Sequence, residues 1–493
     1  MLIDSRDRMT QIEVDLPTPS ATADRPLFVD LDGTLVKSDT LFDSVLLLAR
    51  ERPALLLSLP KWLAAGKASL KAHVSESVSL DVGHLPYNRE LLTYLRQQQA
   101  EGRPLYLATG ADTRLAHRIA KHLAIFSGVF ASDGVTNLTS HNKLEGLRRF
   151  LPEGEFDYIG NAVPDLPLLL NSTEPMVANP DSSLRASLRL KQVHVVREFQ
   201  DRAAPVKSFL RAIRLHQWSK NVLLFVPLLL SHAIHAKALE RTSLAFLCFS
   251  LCASATYIVN DLLDLDPDRR HPRKRHRPFA AGDLSAFTGL SIVGIFLAAG
   301  FFSAWWLSIN FLGWLLGYFV TTLAYSLALK RLVLVDVLLL SGLYTVRMLA
   351  GAAVTGTTIS PWLAGFSLFL FLSLAMVKRF SELQNLRATS HVPENGRGYL
   401  LQDIEQIRSF GTASAYASVV VFTLYISGHD IASLYSHPHR MWLITPLLIL
   451  WVSRFWLLAS RGELNEDPVV FALTDRTSVV IGAGIVGVAL FSL

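Results

Sequence analysis

Cysteine is nearly absent from this chain of 493 residues: the two that occur, Cys248 and Cys252, sit four apart within one apolar run. That spacing puts them on one helix face as small hydrophobes and argues against a disulfide framework or a cysteine-rich metal centre. A large excess of one charge is also lacking. The formal net charge is +6, and the basic residues gather between apolar runs, which excludes nucleic acid as the partner they serve and fits loops beside a membrane. The first twenty-four residues, MLIDSRDRMTQIEVDLPTPSATAD, have no apolar stretch of the length a secretory leader requires. They are expected to form a flexible tail over 1–24, ahead of a domain that stays in the cytoplasm.

What is present is apolar surface. Hydrophobic residues make up 51% of the chain, too many for one ordinary soluble domain, and the length asks for at least two domains. Up to residue 220 short apolar runs alternate with charged stretches. From Asn221 onward, runs of spanning length recur near 221–236, 243–263, 285–305, 308–329, 332–356, 361–380, 411–428, 440–459 and 477–493, which predicts an all-α polytopic bundle of about nine transmembrane helices over 221–493. Every second connection is basic: RRHPRKRHR, then Lys330 and Arg331, then Lys378, Arg379, Arg387, Arg397 and Arg408. Those loops are expected inside the cell, which places the carboxyl terminus outside an inner, cytoplasmic membrane. His429, His437 and His439 then fall in an outer, solvated loop. Residues 201–220 mix apolar positions with Lys207, Arg211, Arg214 and Lys220 and are expected to form an amphipathic linker helix on the inner leaflet.

The segment NDLLDLDPDRRHPRKRHRPFAAG, from Asn260 to Gly282, follows the second candidate span. Asn260, Asp264 and Asp268 are four apart, so a continuing helix lines them along one face, while Asp261 and Asp266 fall off it. Such oxygens suit Mg2+, which takes one or two carboxylates together with phosphate oxygens of a substrate. Arg269, His271, Lys274 and Arg277 follow at once. Cations beside a metal-binding acid cluster fit a pyrophosphate leaving group.

This segment resembles the first motif, NDxxDxxxD, of the UbiA superfamily of intramembrane prenyltransferases, and its HPxKxxRPxAxG continuation is similar to the branch that makes polyprenyl-phosphate phosphoribose. The resemblance covers roughly 205–493 and includes YSLALKRLVLVD with Tyr325, Lys330 and Asp336, TVRMLAGA with Arg347, and KRFSEL with Lys378 and Arg379. Aromatic prenyltransferases of the superfamily show a second aspartate-rich DxxxD motif, whereas here that region offers Asp336 alone. The resemblance therefore implies phosphoribosyl pyrophosphate as donor and a polyprenyl phosphate as acceptor. Asp264 and Asp268 are the expected catalytic acids, Asn260, Asp264 and Asp268 hold magnesium, and Lys274, Arg277, Lys330, Arg347, Lys378 and Arg379 grip the anionic groups. Prenyl transfer from a diphosphate to an aromatic or other small acceptor uses the same loop and is the alternative. A non-enzymatic scaffold or transporter is the third, disfavoured because only Arg347 lies deep in a span. The oligomeric state is left open.

Ahead of the membrane segment, PLFVDLDGTL ends an apolar strand in two aspartates, the end at which an open α/β sheet places its ligand chemistry. Asp30 suits a carboxylate nucleophile and Asp32 the acid that protonates the leaving oxygen. The motif resembles that of the haloacid dehalogenase superfamily of phosphotransferases. That resemblance implies a Rossmann-like α/β phosphatase domain over 25–200 with a small helical cap from 36–88, a phosphate-binding Thr109 after PLYLATG, a charge-neutralising Lys143 in SHNKLEGL, and Mg2+ held by Asp30, Asp32, Asn161 and Asp165 in DYIGNAVPDLPLL. Asn161 stands where the superfamily usually has an acid. Fusion suggests that this domain removes the 5-phosphate from the lipid product of the membrane domain.

Overall fold

A computed structural model of the chain describes residues 25–152, 154–232, 234–389, 398–428, 435–464 and 468–493. The 1–24 tail, Arg397 and His429 lie outside the described residues. The chain divides into two compact units, Met1–Ile213 with Ile258–Ser291, and Arg214–Tyr257 with Ile292–Leu493.

In the first unit six strands, β1 (Leu27–Val29), β2 (Leu105–Asp112), β3 (Gly128–Ser132), β4 (Asp157–Gly160), β5 (Pro175–Ala178) and β6 (Arg197–Phe199), form one sheet in the order β3-β2-β1-β4-β5-β6. Every pairing is parallel. Parallel strands need both faces covered, and alternation along β1 supplies this: Leu27 and Val29 enter one hydrophobic core, Phe28 the other. Phe28 stacks on Tyr106 with ring centroids 5.1 Å apart. Because β2 and β4 flank β1 on opposite sides, the chain order reverses at the carboxyl end of β1, where a crevice for ligands forms.

Between β1 and α4 (Arg89–Ala100) lie α1 (Thr40–Glu51), α2 (Leu59–Ala64) and α3 (Lys67–Ser77), the helical segment expected over 36–88. Asp39 caps α1 by accepting hydrogen bonds from the Leu41 and Phe42 amides, and Pro53 follows the helix directly after Arg52. Around the sheet are α5 (Thr113–Leu123), α6 (His141–Phe150), α7 (Leu166–Asn171) and α8 (Ser182–Leu190). The expected linker helix is present in part as α9 (Pro205–Ala212). A 3-10 segment, Leu215–Phe225, replaces its remainder.

The second unit is helical. It comprises α10 (Val226–Leu230), most of α11 (Ala236–Leu263) and α13 (Ala286–Leu307), then α14 (Ile309–Leu327), α15 (Val335–Thr355), α16 (Pro361–Thr389), α17 (Ile404–Ile426), α18 (Ile444–Ser460), α19 (Pro468–Thr474) and α20 (Arg476–Phe491); α12 (Leu265–Arg270) belongs to the first unit. Among the described residues six helices, α11, α13 and α15 to α18, are long and apolar enough to cross a membrane, and a seventh span arises if the α19–α20 pair, bent by 76°, counts as one. This is the polytopic bundle expected, with fewer regular spans than about nine. The stretch 221–236 is not one helix: Pro227 has no amide hydrogen to donate, and α10 restarts there for five residues. Helix α14 exists, but Asn310, Gly313, Gly317, Thr321 and Thr322 dilute its apolar run. Asp475 caps α20 through the Ser478 amide and breaks the last span. Exposed Phe302, Trp305 and Trp306 crowd the end of α13, as aromatic side chains do at a lipid–water boundary.

Candidate active sites

The first site stands at the carboxyl end of β1. Lys143, on the first turn of α6, is 3% exposed and donates to Asp30 Oδ1 at 2.7 Å and to Tyr158 Oη at 2.9 Å, with Asp165 Oδ1 at 3.4 Å. Tyr158 donates to Asp165 Oδ1 at 2.7 Å, and the other Asp165 oxygen accepts from the amides of Asn161 and Ala162. Thr34 Oγ1 lies 3.2 Å from both Asp30 Oδ2 and Asn161 Oδ1. The turn works only with glycine at 33: φ is +80°, and a Cβ there would stand 2.1 Å from Asn161 Nδ2. Thr109 lies on β2, two residues beyond the Val29–Leu107 pairing, and its hydroxyl accepts from the Ala111 amide. The structure thus brings Asp30, Asp32, Lys143, Asn161 and Asp165 to the end of the sheet, with Thr109 at the same end. Sequence reasoning missed Thr34, Tyr158 and the cap residue Lys71, which donates to Gly110 O at 2.6 Å and Asn137 Oδ1 at 2.9 Å. Alternation along DYIG puts Tyr158 on the face covered by Leu144 and Leu147 of α6, so it was legible. Lys71 had no local signal.

Electrostatics separates the two aspartates. Burial raises Asp30, Lys143 opposes it, and the carboxyl settles at about 6; burial and then the nearby Asp39 push Asp32 to about 8, although the Thr40 amide donates to it at 2.7 Å. Both carboxyls are raised, Asp32 further than Asp30, so Asp30 gives up its proton first. Burial alone would lower the Lys143 ammonium, but Asp30 and Asp165 beside it raise it above an ordinary lysine. Two carboxyl groups of different acidity and a fixed cation meet in one crevice at the carboxyl end of a parallel α/β sheet.

The second site lies in the aspartate-rich loop. Helix α11 ends at Leu263 and α12 begins at Leu265, yet the Asp264 amide still bonds Asn260 O and the Asp268 amide Asp264 O, so the helical repeat survives the break. The side chains that meet are Asp261 and Asp268, both nearly buried: Arg277 Nη1 lies 3.0 Å from the first and 2.6 Å from the second. Burial raises Asp268 to about 6 against the pull of Arg277. Asp261, taken from sequence to lie off the metal face, is thus part of the cluster; its distance of seven residues from Asp268 is two helical turns, a signal that the four-residue spacing hid. Asp264 is partly exposed, with Oδ1 3.7 Å from Arg50 Nη1. Lys274 is exposed. His271 is exposed too, and its Nδ1 accepts from the Arg273 and Lys274 amides; burial, then Lys274, Arg277 and Arg273, hold it below an ordinary histidine. Arg269 differs from the expectation of a substrate ligand. It is 6% exposed, and its guanidinium donates to Asp43 Oδ2 at 2.8 Å, Ser38 Oγ at 3.1 Å and Ala280 O at 3.3 Å. Removing one partner of such a pair costs on the order of 3–5 kcal/mol.

In the second unit the expected basic set divides. Arg347 on α15, almost buried, donates to Asn221 Oδ1, Leu343 O and Tyr318 Oη, and lies over the rings of Tyr318, Tyr344 and Phe249. Arg379 is fully buried in an internal network: Nε meets Asp336 Oδ2 at 2.6 Å, Nη1 meets Glu382 Oε2 at 2.6 Å, and Tyr325 Oη is 3.3 Å away. Tyr399 donates to the other Asp336 oxygen. Lys330 and Lys378 are half-buried, on the 3-10 turn Leu329–Arg331 and on α16. Glu382 was legible three residues beyond Arg379; Tyr399, in a polar connection, was not.

Among the described residues no group of three or more histidine, cysteine, aspartate or glutamate side chains is gathered to hold a metal ion. Both sites nevertheless turn two carboxylates toward one cation, Asp30 and Asp165 toward Lys143, Asp261 and Asp268 toward Arg277. Paired carboxylates fit Mg2+, whose remaining positions go to water and substrate oxygens.

Residues 222–474 match the model of the UbiA prenyltransferase family. The chain belongs to the UbiA prenyltransferase family. This UbiA protein is 39% identical over 461 residues to an uncharacterised protein of Sinorhizobium fredii, covering 93% of this chain and 89% of that one, so the similarity extends through both domains. It is 33% identical over 285 residues to the decaprenyl-phosphate phosphoribosyltransferase of Mycobacterium tuberculosis, covering 55% of this chain and 89% of that enzyme. Among solved structures, a UbiA homolog from Archaeoglobus fulgidus bound to GPP and Mg2+ aligns with 57% of this chain and 99% of its own, at 19% identity and a TM-score of 0.45. The UbiA chain is a multi-pass membrane protein with a parallel-sheet α/β domain at its amino end.

Proposed function

We propose that the UbiA domain transfers 5-phosphoribose from phosphoribosyl pyrophosphate to a polyprenyl phosphate, and that the amino-terminal domain then removes the 5-phosphate. The observation that carries the choice of substrates is the burial of Asp336 between Arg379 and Tyr399, with no exposed surface. An acid so enclosed is poorly placed to hold a second metal for a prenyl diphosphate. One acid-rich loop and several cations suit a donor and an acceptor that are both anionic. The similarity to the mycobacterial phosphoribosyltransferase supports the same choice.

In the transferase step a phosphate oxygen of the lipid attacks C1 of the ribose, the bond from C1 to the pyrophosphate oxygen breaks, and pyrophosphate leaves with the electron pair. The acceptor is already an anion, so no general base is required. Mg2+, when bound, supplies charge neutralisation to the departing pyrophosphate. Asp261 and Asp268, with Asn260 and Asp264 beside them, would hold it, and Arg277 and Lys274 would share the pyrophosphate charge. Arg347 is the candidate for the lipid phosphate.

In the phosphatase step Asp30 attacks phosphorus, the P–O5 bond breaks, and Asp32 gives its proton to the ribose 5-oxygen. Water then attacks the aspartyl phosphate, returning a proton to Asp32 and releasing phosphate. Lys143 steadies the charge on Asp30, and Thr109 is placed to donate to the phosphoryl oxygens. Asp30, Asp165, Asn161 and the Asp32 turn would hold a second Mg2+. We assign the loop and the amino-terminal domain to the cytoplasmic side of an inner membrane, where phosphoribosyl pyrophosphate is available.

The test is direct. Purified full-length protein with Mg2+, phosphoribosyl pyrophosphate and polyprenyl phosphate should release pyrophosphate and form ribosylated lipid. Release only from a polyprenyl diphosphate with a small acceptor would replace this function with prenyl transfer. The Asp30→Asn variant should accumulate the 5-phosphorylated lipid; an unchanged product would separate the phosphatase from this pathway.

A further inference from the structure

The first compact unit contains both the phosphatase sheet and the aspartate-rich loop, and one helix, α1, touches the working residues of each. At its amino end the Thr40 amide donates to Asp32. One turn on, Asp43 is 4% exposed and its Oδ2 accepts from Arg269 at 2.8 Å and from Ser38 Oγ at 2.6 Å. Arg269 is the residue after Asp268. At the carboxyl end, Arg50 Nη1 stands 3.7 Å from Asp264.

The surroundings are built to hold this contact. Leu47 of α1 and Leu80 line a narrow seam with Leu262, Leu263 and Leu265 of the loop. Arg270 pairs with Asp81 at 2.9 Å and Lys37 Nζ lies 3.7 Å from Asp283. Gly282, at φ +72°, lets the backbone come so near that a Cβ would meet Lys37 Cβ at 2.7 Å. Nothing larger fits.

We propose that Asp43 is a positioning residue for the transferase: by fixing Arg269 it sets the rotation of α12 and so the place of the Asp268 carboxylate. An amino-terminal phosphatase domain thereby shapes the metal affinity of the membrane enzyme without its own chemistry taking part. The inference rests on the loop being the transferase metal site. Direct hydrogen-bond partners of a metal ligand commonly carry a ten- to hundredfold share of its affinity; Asp43 acts one residue further out, through Arg269, so the lower end of that range, about tenfold, is expected here.

The experiment uses detergent-solubilised full-length protein in an Asp30→Asn, Asp165→Asn background, which removes both carboxylates of the other metal pair, and Mn2+ followed by electron paramagnetic resonance. Adding Asp268→Asn should abolish the remaining Mn2+ binding. Asp43→Asn should weaken it by about tenfold, while the same variant in the native background keeps its pyrophosphate release at saturating Mg2+ and requires more Mg2+ to reach half of it. If Asp43→Asn does not fold, Asp43→Glu, which keeps the charge and displaces it by one methylene, is measured in its place with the same expectation. Affinity within about twofold of the parent in a folded variant overturns the proposal. If Asp268→Asn leaves Mn2+ binding intact, the loop is not the metal site and the functional assignment falls with it.

Discussion

Arg277 joins Asp261 to Asp268 across a gap of seven residues, its Nη1 3.0 Å from one carboxylate and 2.6 Å from the other. The cation occupies the space between two acids proposed to receive Mg2+, so the arginine and the metal compete. Arg277→Ala removes the cation that both carboxylates share and should destabilise the metal-free protein by about 1–3 kcal/mol. Added Mg2+ should raise the melting temperature of the variant more than that of the native protein. Equal shifts in the two proteins would show that Mg2+ does not bind between these acids.

The phosphatase step should have a bell-shaped pH profile. Activity needs Asp30 as the carboxylate and Asp32 as the acid. It should rise where Asp30 loses its proton, at about 6 without metal and lower once Mg2+ stabilises the carboxylate, and fall through about 8, where Asp32 loses its own. Steady-state hydrolysis of the 5-phosphorylated lipid across about pH 5–9 checks both limbs. A profile still rising above about pH 9 would deny Asp32 the acid role.

Gly33→Ala should separate the two activities. The substitution forces a left-handed backbone on an L-residue, at about 1–2 kcal/mol, and drives a methyl into Asn161. Phosphate release should fall by about two orders of magnitude while pyrophosphate release is kept. Equal loss of both would indicate that the damage spreads beyond the crevice.

Arg347→Lys tests the lipid-phosphate assignment. Lysine retains the charge but cannot keep the fork that now engages Asn221, Leu343 and Tyr318. The KM for polyprenyl phosphate should rise by about tenfold with the KM for phosphoribosyl pyrophosphate unchanged. The reverse pattern would move Arg347 to the donor.

Much of this was legible in the chain. The strand ending in Asp30 and Asp32, Lys143 and the Asn161–Asp165 pair are carried by local patterns of apolar strand and polar turn, and the structure brings them to one end of the sheet. The long apolar runs gave the bundle, but not the 3-10 path of Leu215–Phe225, where the hydrophobic pattern does not distinguish a tight helix from a spanning one. Arg269 looked like a substrate ligand because its partner, Asp43, lies 226 residues away. Tyr399 likewise reaches Asp336 across 63 residues. No local pattern encodes such meetings, since packing rather than periodicity creates them.

The ammonium held between Asp30 and Asp165 leaves that small enclosure with one net negative charge while Asp32 keeps its proton. A phosphate monoester dianion entering it would bring the total to three negatives in a poorly solvated space, which Coulomb repulsion opposes strongly. Two further positive charges return the sum to its starting value. A divalent-ion dependence of the proposed phosphatase would follow from this charge balance, and a monovalent cation alone should not support turnover.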